Sequence, residues 1–134
     1  MAHTITITEP KDPPKDLPNP FNVKVEIGWD PAMLTTKLDP PFELKYTVIE
    51  PQMVGNTVTY VAVYNDTQVV VYKTQPLTQN VAPVGACTNA TILVTLIEVE
   101  PLPMPMPPNI TVHDTDLTAA YSFPAGPTVP QPPM

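Results

Sequence analysis

His113-Asp114-Thr115-Asp116 is the densest cluster of potential ligands in the sequence. Its Asp-x-Asp spacing would offer two oxygen ligands to a hard cation such as Ca²⁺, with the His113 imidazole nearby. The central Gly and terminal Glu of an EF-hand loop do not follow, and Asp after a strand equally serves to stabilise a turn. There is no HExxH or CxxC motif. His113, Asp114 and Asp116 are therefore the one candidate metal set, and no metal or other cofactor is expected.

Nucleophiles are scarce. Ser122 is the only serine and sits in Tyr-Ser-Phe, without the flanking glycines of a nucleophile elbow. Cys87 would need a base, and the chain has only His3 and His113 to offer. A lone cysteine makes no internal disulfide, so Cys87 reads as a small buried hydrophobe or a loop thiol. Glu26, Glu43, Glu98 and Glu100 could supply a glycosidase pair, but each alternates with apolar neighbours as on the wet face of a strand. Gly28, Gly55, Gly85 and Gly126 lie too far apart to cradle a phosphate. The chain is expected not to be an enzyme.

Tyr60, Tyr64 and Tyr72 fall close together, and exposed aromatics can stack on sugar rings. Strand alternation sends Tyr60 and Tyr72 to opposite faces, so burial in a core or an interface is the better reading.

The elements that carry these residues are read from proline and from period-two alternation. The 134 residues include 21 prolines, and an interior proline costs a helix about 3 kcal/mol. Val, Ile and Thr make 41 residues, gathered in short runs bounded by proline. His3–Thr8 alternates Thr with Ile. Phe21–Trp29 puts Phe21, Val23, Val25, Ile27 and Trp29 on one face, and Phe42–Glu50 does the same with Phe42, Leu44, Tyr46 and Val48. A short helical turn fits at Pro31–Leu34. Thr57–Tyr64 and Thr67–Lys73 read as a hairpin about Asn65-Asp66, residues that tolerate a type I′ turn. Thr74–Ala90 reads as a polar loop, followed by strands at Thr91–Glu100 and Asn109–His113. Glu-Pro at 9–10, 50–51 and 100–101 reads as strand-ending punctuation.

Together these predict an all-β fold: a small antiparallel β-sandwich of about seven strands, immunoglobulin-like or jelly-roll-like, with extended proline-rich arms. The division expected is an N-terminal strand and arm over 1–20, a core over 21–122 and a C-terminal arm over 123–134. Residues 101–108 alternate proline with Leu and Met, and a polyproline II path of about 25 Å there would carry the chain between sheet edges. Such arms are either solvated linkers or docking segments that are cheap to order, and the second reading is adopted.

The net charge of −7, six Lys and no Arg argue against a nucleic-acid partner. No apolar run is long enough for a membrane helix, and no secretory leader is read at the N-terminus. Sequons at Asn65, Asn89 and Asn109 are accordingly discounted. The function expected is a non-enzymatic structural protein, a decoration, cement or minor capsid component on the outer surface of a bacteriophage virion. Its partners would be subunits of the same assembly, with homo-oligomers formed through Tyr60, Tyr64, Val70, Tyr72, Pro103, Pro105, Phe123, Pro124, Val129 and Pro130. The alternatives are an extracellular or cell-surface filament subunit, or a carbohydrate-binding module.

Overall fold

The structure, a computed structural model, describes residues 3–10 and 16–125. Eight strands follow in order: β1 (Thr4–Glu9), β2 (Phe21–Gly28), β3 (Lys37–Val54), β4 (Thr57–Tyr72), β5 (Thr78–Val81), β6 (Cys87–Glu100), β7 (Asn109–Leu117) and β8 (Tyr121–Phe123). One sheet has the order β1-β2-β5; the other runs β4-β3-β6-β7, with β8 also on β6. Every pairing between these strands is antiparallel, and an isolated bridge between Asp16 and Ser122 is parallel. The first seven strands thus distribute as first, second and fifth against fourth, third, sixth and seventh. That is the immunoglobulin-like pattern with the fourth strand on the larger sheet.

Alternation builds the core as the sequence predicts. Ile5, Ile7, Val23 and Val25 of one sheet face Phe42, Leu44, Tyr46, Val48, Ile92, Val94 and Leu96 of the other. Tyr46 is fully buried, and its hydroxyl donates to Gln68 Oε1 at 3.0 Å. Desolvation, aided by the Asp66 charge, drives that phenol's pKa far upward, so it stays a neutral donor.

Several expectations are corrected. The chain does not turn at Asn65-Asp66, because β4 runs straight through them. The turn is at Gly55-Asn56, between the paired residues Val54 and Thr57. Gly55 has φ of 62°, as the first position of a II′ hairpin requires. A bulge at Val63 lets β4 continue, since Val48 pairs Tyr64 while Ile49 pairs Ala62. β3 likewise runs through Glu50-Pro51. Pro51 is tolerated because its nitrogen faces the β6 side, where pairing has already ended at Ile49 and Thr91. Turn residues at 31–32 fill the place of the expected helical turn, and the polar loop contains β5.

Of the proline-rich segments, 101–108 differs from expectation, while residues 11–15 and 126–134 of the two arms lie outside the described residues. Residues 101–108 do not span between sheets. They close a hairpin, since Glu100 pairs Asn109, and Met106 N–H turns back to Pro103 C=O. The described end of the first arm packs on its own chain: Leu17 is buried and its N–H donates to Ser122 C=O at 2.9 Å. Asn19 Nδ2 donates to the carbonyls of Pro83 and Pro124. β1 and Phe123, expected to lie outside the core, are thus part of the sandwich.

Candidate functional site

The carboxylates expected to be turn residues or metal ligands perform another task. β7 places Asp114 and Asp116 opposite Leu96 and Val94, on the inward side of the larger sheet. There they meet β1, the edge of the smaller sheet. Ile5 N–H donates to Asp114 Oδ2 and Ile7 N–H donates to Asp116 Oδ2, each at 2.8 Å. The two-residue repeat of one strand thus matches that of the other, and side chains replace a backbone ladder. Charge-assisted bonds of this kind are about twice as strong as neutral ones. The opposite flank is laced similarly: Tyr64 Oη donates to Asn80 C=O, Gln79 Nε2 to Asp66 Oδ2, and Gln68 Nε2 to Pro76 C=O.

His113 is the extra residue at the β7 bulge and bonds elsewhere than the two aspartates. Its ring stacks on Phe42 with centroids 5.1 Å apart and planes 11° from parallel. Nε2 lies 3.0 Å from Glu98 Oε1. The candidate metal set is therefore split, and among the described residues no group of three or more His, Cys, Asp or Glu is arranged to hold a metal ion. Glu98 is also not on the wet face. It pairs with Phe42 on the inner side and is half-buried.

A contact the sequence does not signal brings His3 to the same place. His3 is buried, edge-on to Trp29, Phe42 and His113 at centroid distances of 5.3, 5.3 and 5.0 Å. Its Nδ1 accepts the Asp30 N–H at 2.9 Å, which requires an unprotonated Nδ1. Desolvation lowers the His3 pKa first and the neighbouring His113 lowers it further, against opposing attraction from Asp30 and Glu98. The unfolded chain therefore takes up this proton at a higher pH than the folded one. The stabilisation from neutral His3 is complete above about pH 6.5 and lost as pH falls through the lower folded-state pKa. Thermal melts between pH 7.5 and 5 are expected to show Tm falling with acid, and less steeply in His3→Phe. Equal slopes in both proteins would refute the assignment.

The other chemical candidates are scattered. Cys87 is buried at the start of β6, where burial, followed by the Glu50 charge, pushes the thiol pKa up and disfavours the thiolate. Ser122 lies in β8, its carbonyl used by Leu17. Glu26 points to solvent, and Glu50 Oε2 accepts the Thr88 N–H. Two open depressions occur among the described residues, one beside Ile7, Asp116 and Tyr121, the other beside Leu17, Cys87 and Phe123. The first holds a carboxylate already bonded to β1, and the second a raised-pKa thiol. No family model, curated protein or solved structure matches the chain.

The expected interface residues divide sharply. Val70 and Phe123 are core, at 0% and 2% exposure, because they fall on inward positions of β4 and β8. Tyr64 is half-buried in the β4–β5 flank. Tyr60, Tyr72, Pro103, Pro105 and Pro124 are exposed, while Val129 and Pro130 lie outside the described residues. Tyr60 stands out by its surroundings. Past Ile49, β3 and β4 continue alone as a two-stranded ribbon whose registered pairs are Pro51 with Tyr60 and Met53 with Val58. These four share the face continuous with the solvent side of the sheet. Tyr60 is 72% exposed and Met53 66%.

Proposed function

We propose that the chain is a non-enzymatic structural subunit that self-associates within a larger protein assembly. The setting proposed is the outer surface of a bacteriophage capsid, where an acidic protein lies away from the genome. The observation that carries the reading is the projecting β3–β4 ribbon. Residues 51–65 contain no charged side chain in a protein of net charge −7, and the ribbon presents Met53, Val58 and Tyr60 to solvent on one face, beside the half-buried Pro51. Contiguous exposed apolar surface of this kind marks an interaction site.

The polar side chains that might have served catalysis support the same reading. Asp114, Asp116, Glu98, His3 and His113 all bond within the framework. Size-exclusion chromatography with light scattering, from micromolar to near-millimolar concentration, should give a mass that is a multiple of 14.6 kDa. A monomer throughout would overturn the reading. Labelling purified particles with antibody to the protein tests the setting: unlabelled particles would remove the capsid and leave the subunit.

A further inference from the structure

The outer edge of β4 is open along one half and closed along the other. Val54 and Thr57 flank a two-residue loop and so form a hydrogen-bonded pair. Thr57, Thr59 and Val61 therefore bond to β3, and Val58, Tyr60 and Ala62 direct their N–H and C=O groups outward. Below the Val63 bulge the outward residues are Asn65 and then Thr67, Val69 and Val71, the last three with partners. Gln75 behaves like a strand in miniature: Val71 N–H donates to its Oε1 at 2.9 Å, and its Nε2 donates to Val69 C=O at 2.7 Å. Thr67 N–H donates to Asp66 Oδ1. Among the described residues no such partner meets Val58, Tyr60 or Ala62. This half also lacks the charge or proline that normally protects an edge, since Thr57–Tyr64 contains neither.

We propose that two copies of the chain join edge to edge through this segment, antiparallel, with the two-fold axis at Tyr60. The proposal rests on the self-associating reading above and specifies its contact. The open set is symmetric about its centre. Antiparallel pairing at Tyr60 matches Val58 with Ala62 of the second copy, Tyr60 with Tyr60, and Ala62 with Val58. Each is a hydrogen-bonded pair, giving about six backbone bonds. The uncharged window lets two acidic chains meet without like charges opposed. The apolar ribbon faces then form one continuous surface. A proline-rich arm is a poorer occupant, because proline lacks the N–H that strand addition needs. An isologous contact of this kind uses each edge once and closes as a dimer.

Tyr60→Pro removes the central outward donor while sparing the Thr59 and Val61 bonds to β3, and proline is tolerated on edge strands. The natural chain should run at twice 14.6 kDa and Tyr60→Pro at that mass once, with an unchanged circular dichroism spectrum. Tyr60→Cys, in the chain whose own Cys87 is buried, should oxidise to a covalent dimer. The paired Cα atoms would lie about 5.5 Å apart, within disulfide reach. Thr67→Cys should not cross-link. If Tyr60→Pro does not fold, the cross-linking result decides. An oligomer that persists in Tyr60→Pro, or in which Tyr60→Cys fails to cross-link, overturns the edge contact and leaves the subunit reading standing. A monomeric natural chain overturns both.

Discussion

Phe42→Ala should lose about 3–5 kcal/mol of stability, in the range found when buried aromatics are truncated. Phe42 is 2% exposed and belongs to three layers of contact at once. Along the sheet it lies between Val70 of β4 and Glu98 of β6. Across the sandwich it meets His3 and Trp29, at 5.3 and 5.4 Å between centroids, and beside it lies the stacked His113. Deleting the ring opens a cavity and removes the surface against which both imidazoles are held. Urea or thermal unfolding measures the loss, and the fluorescence of Trp29, the only tryptophan, should shift with it. Phe42→Leu keeps most of the volume and should cost less than half as much. A loss below about 1 kcal/mol for Phe42→Ala would mean that the four-ring cluster does not exist.

The second large effect is on the flank between the sheets. Asp114→Ala should cost about 2 kcal/mol, since it removes a charge-assisted bond and leaves the part-buried Ile5 N–H without an acceptor. Asp116→Ala should cost a similar amount through Ile7. The double variant should lose less than the sum, because once one tooth is gone β1 is already loosened and the second bond has less to hold. Asp114→Asn keeps an oxygen acceptor and should recover part of the loss. Amide exchange at Ile5 and Ile7 provides the local readout: both should accelerate in the alanine variants before the amides of β3 and β6 do. A calcium-dependent rise in Tm of the natural protein would show instead that the two carboxylates serve a metal.

The fold was readable in the sequence where one face is dry and the other wet. Phe21 to Ile27 and Phe42 to Val48 alternate strictly, and a sandwich buries such strands in only one way. The hairpin was misplaced because Asn65-Asp66 has turn chemistry without the need to turn. In the folded chain Asn65 accepts from Thr47 Oγ1 at 3.1 Å and Asp66 accepts from Gln79 Nε2. Both polar groups are satisfied within a continuing strand. The true turn carried a signal of its own, a glycine followed by asparagine at 55–56, but the neighbouring Pro51 suggested that β3 had already stopped. Glu98 was misread for a related reason. Its alternation with Ile97 and Val99 looks like a wet face, yet the inward phase of Ile92, Val94 and Leu96 runs unbroken to Glu98, opposite Phe42 and beside His113. The meeting of His3 with His113 joins opposite ends of the chain, so no local rule reaches it. For the interface, alternation separates exposed Tyr60 from buried Val70 only once the Val63 bulge is known.

The imidazole of His3 also settles an ambiguity of address. β1 reads Thr-Ile-Thr-Ile-Thr, which a slide of two residues along β2 would leave with the same inward isoleucines. Nothing in that repeat says where it should stop. Asp114 and Asp116 would meet amides at the same spacing after such a slide, whereas His3 reaches the Asp30 N–H in one register only. Gly28 opposite Thr4 leaves room for the Thr4 hydroxyl, which a Cβ there would overlap. A strand whose composition is nearly periodic is thus made unique by the residue that precedes it, since the His3 ring is held by the Asp30 N–H and by Trp29, Phe42 and His113.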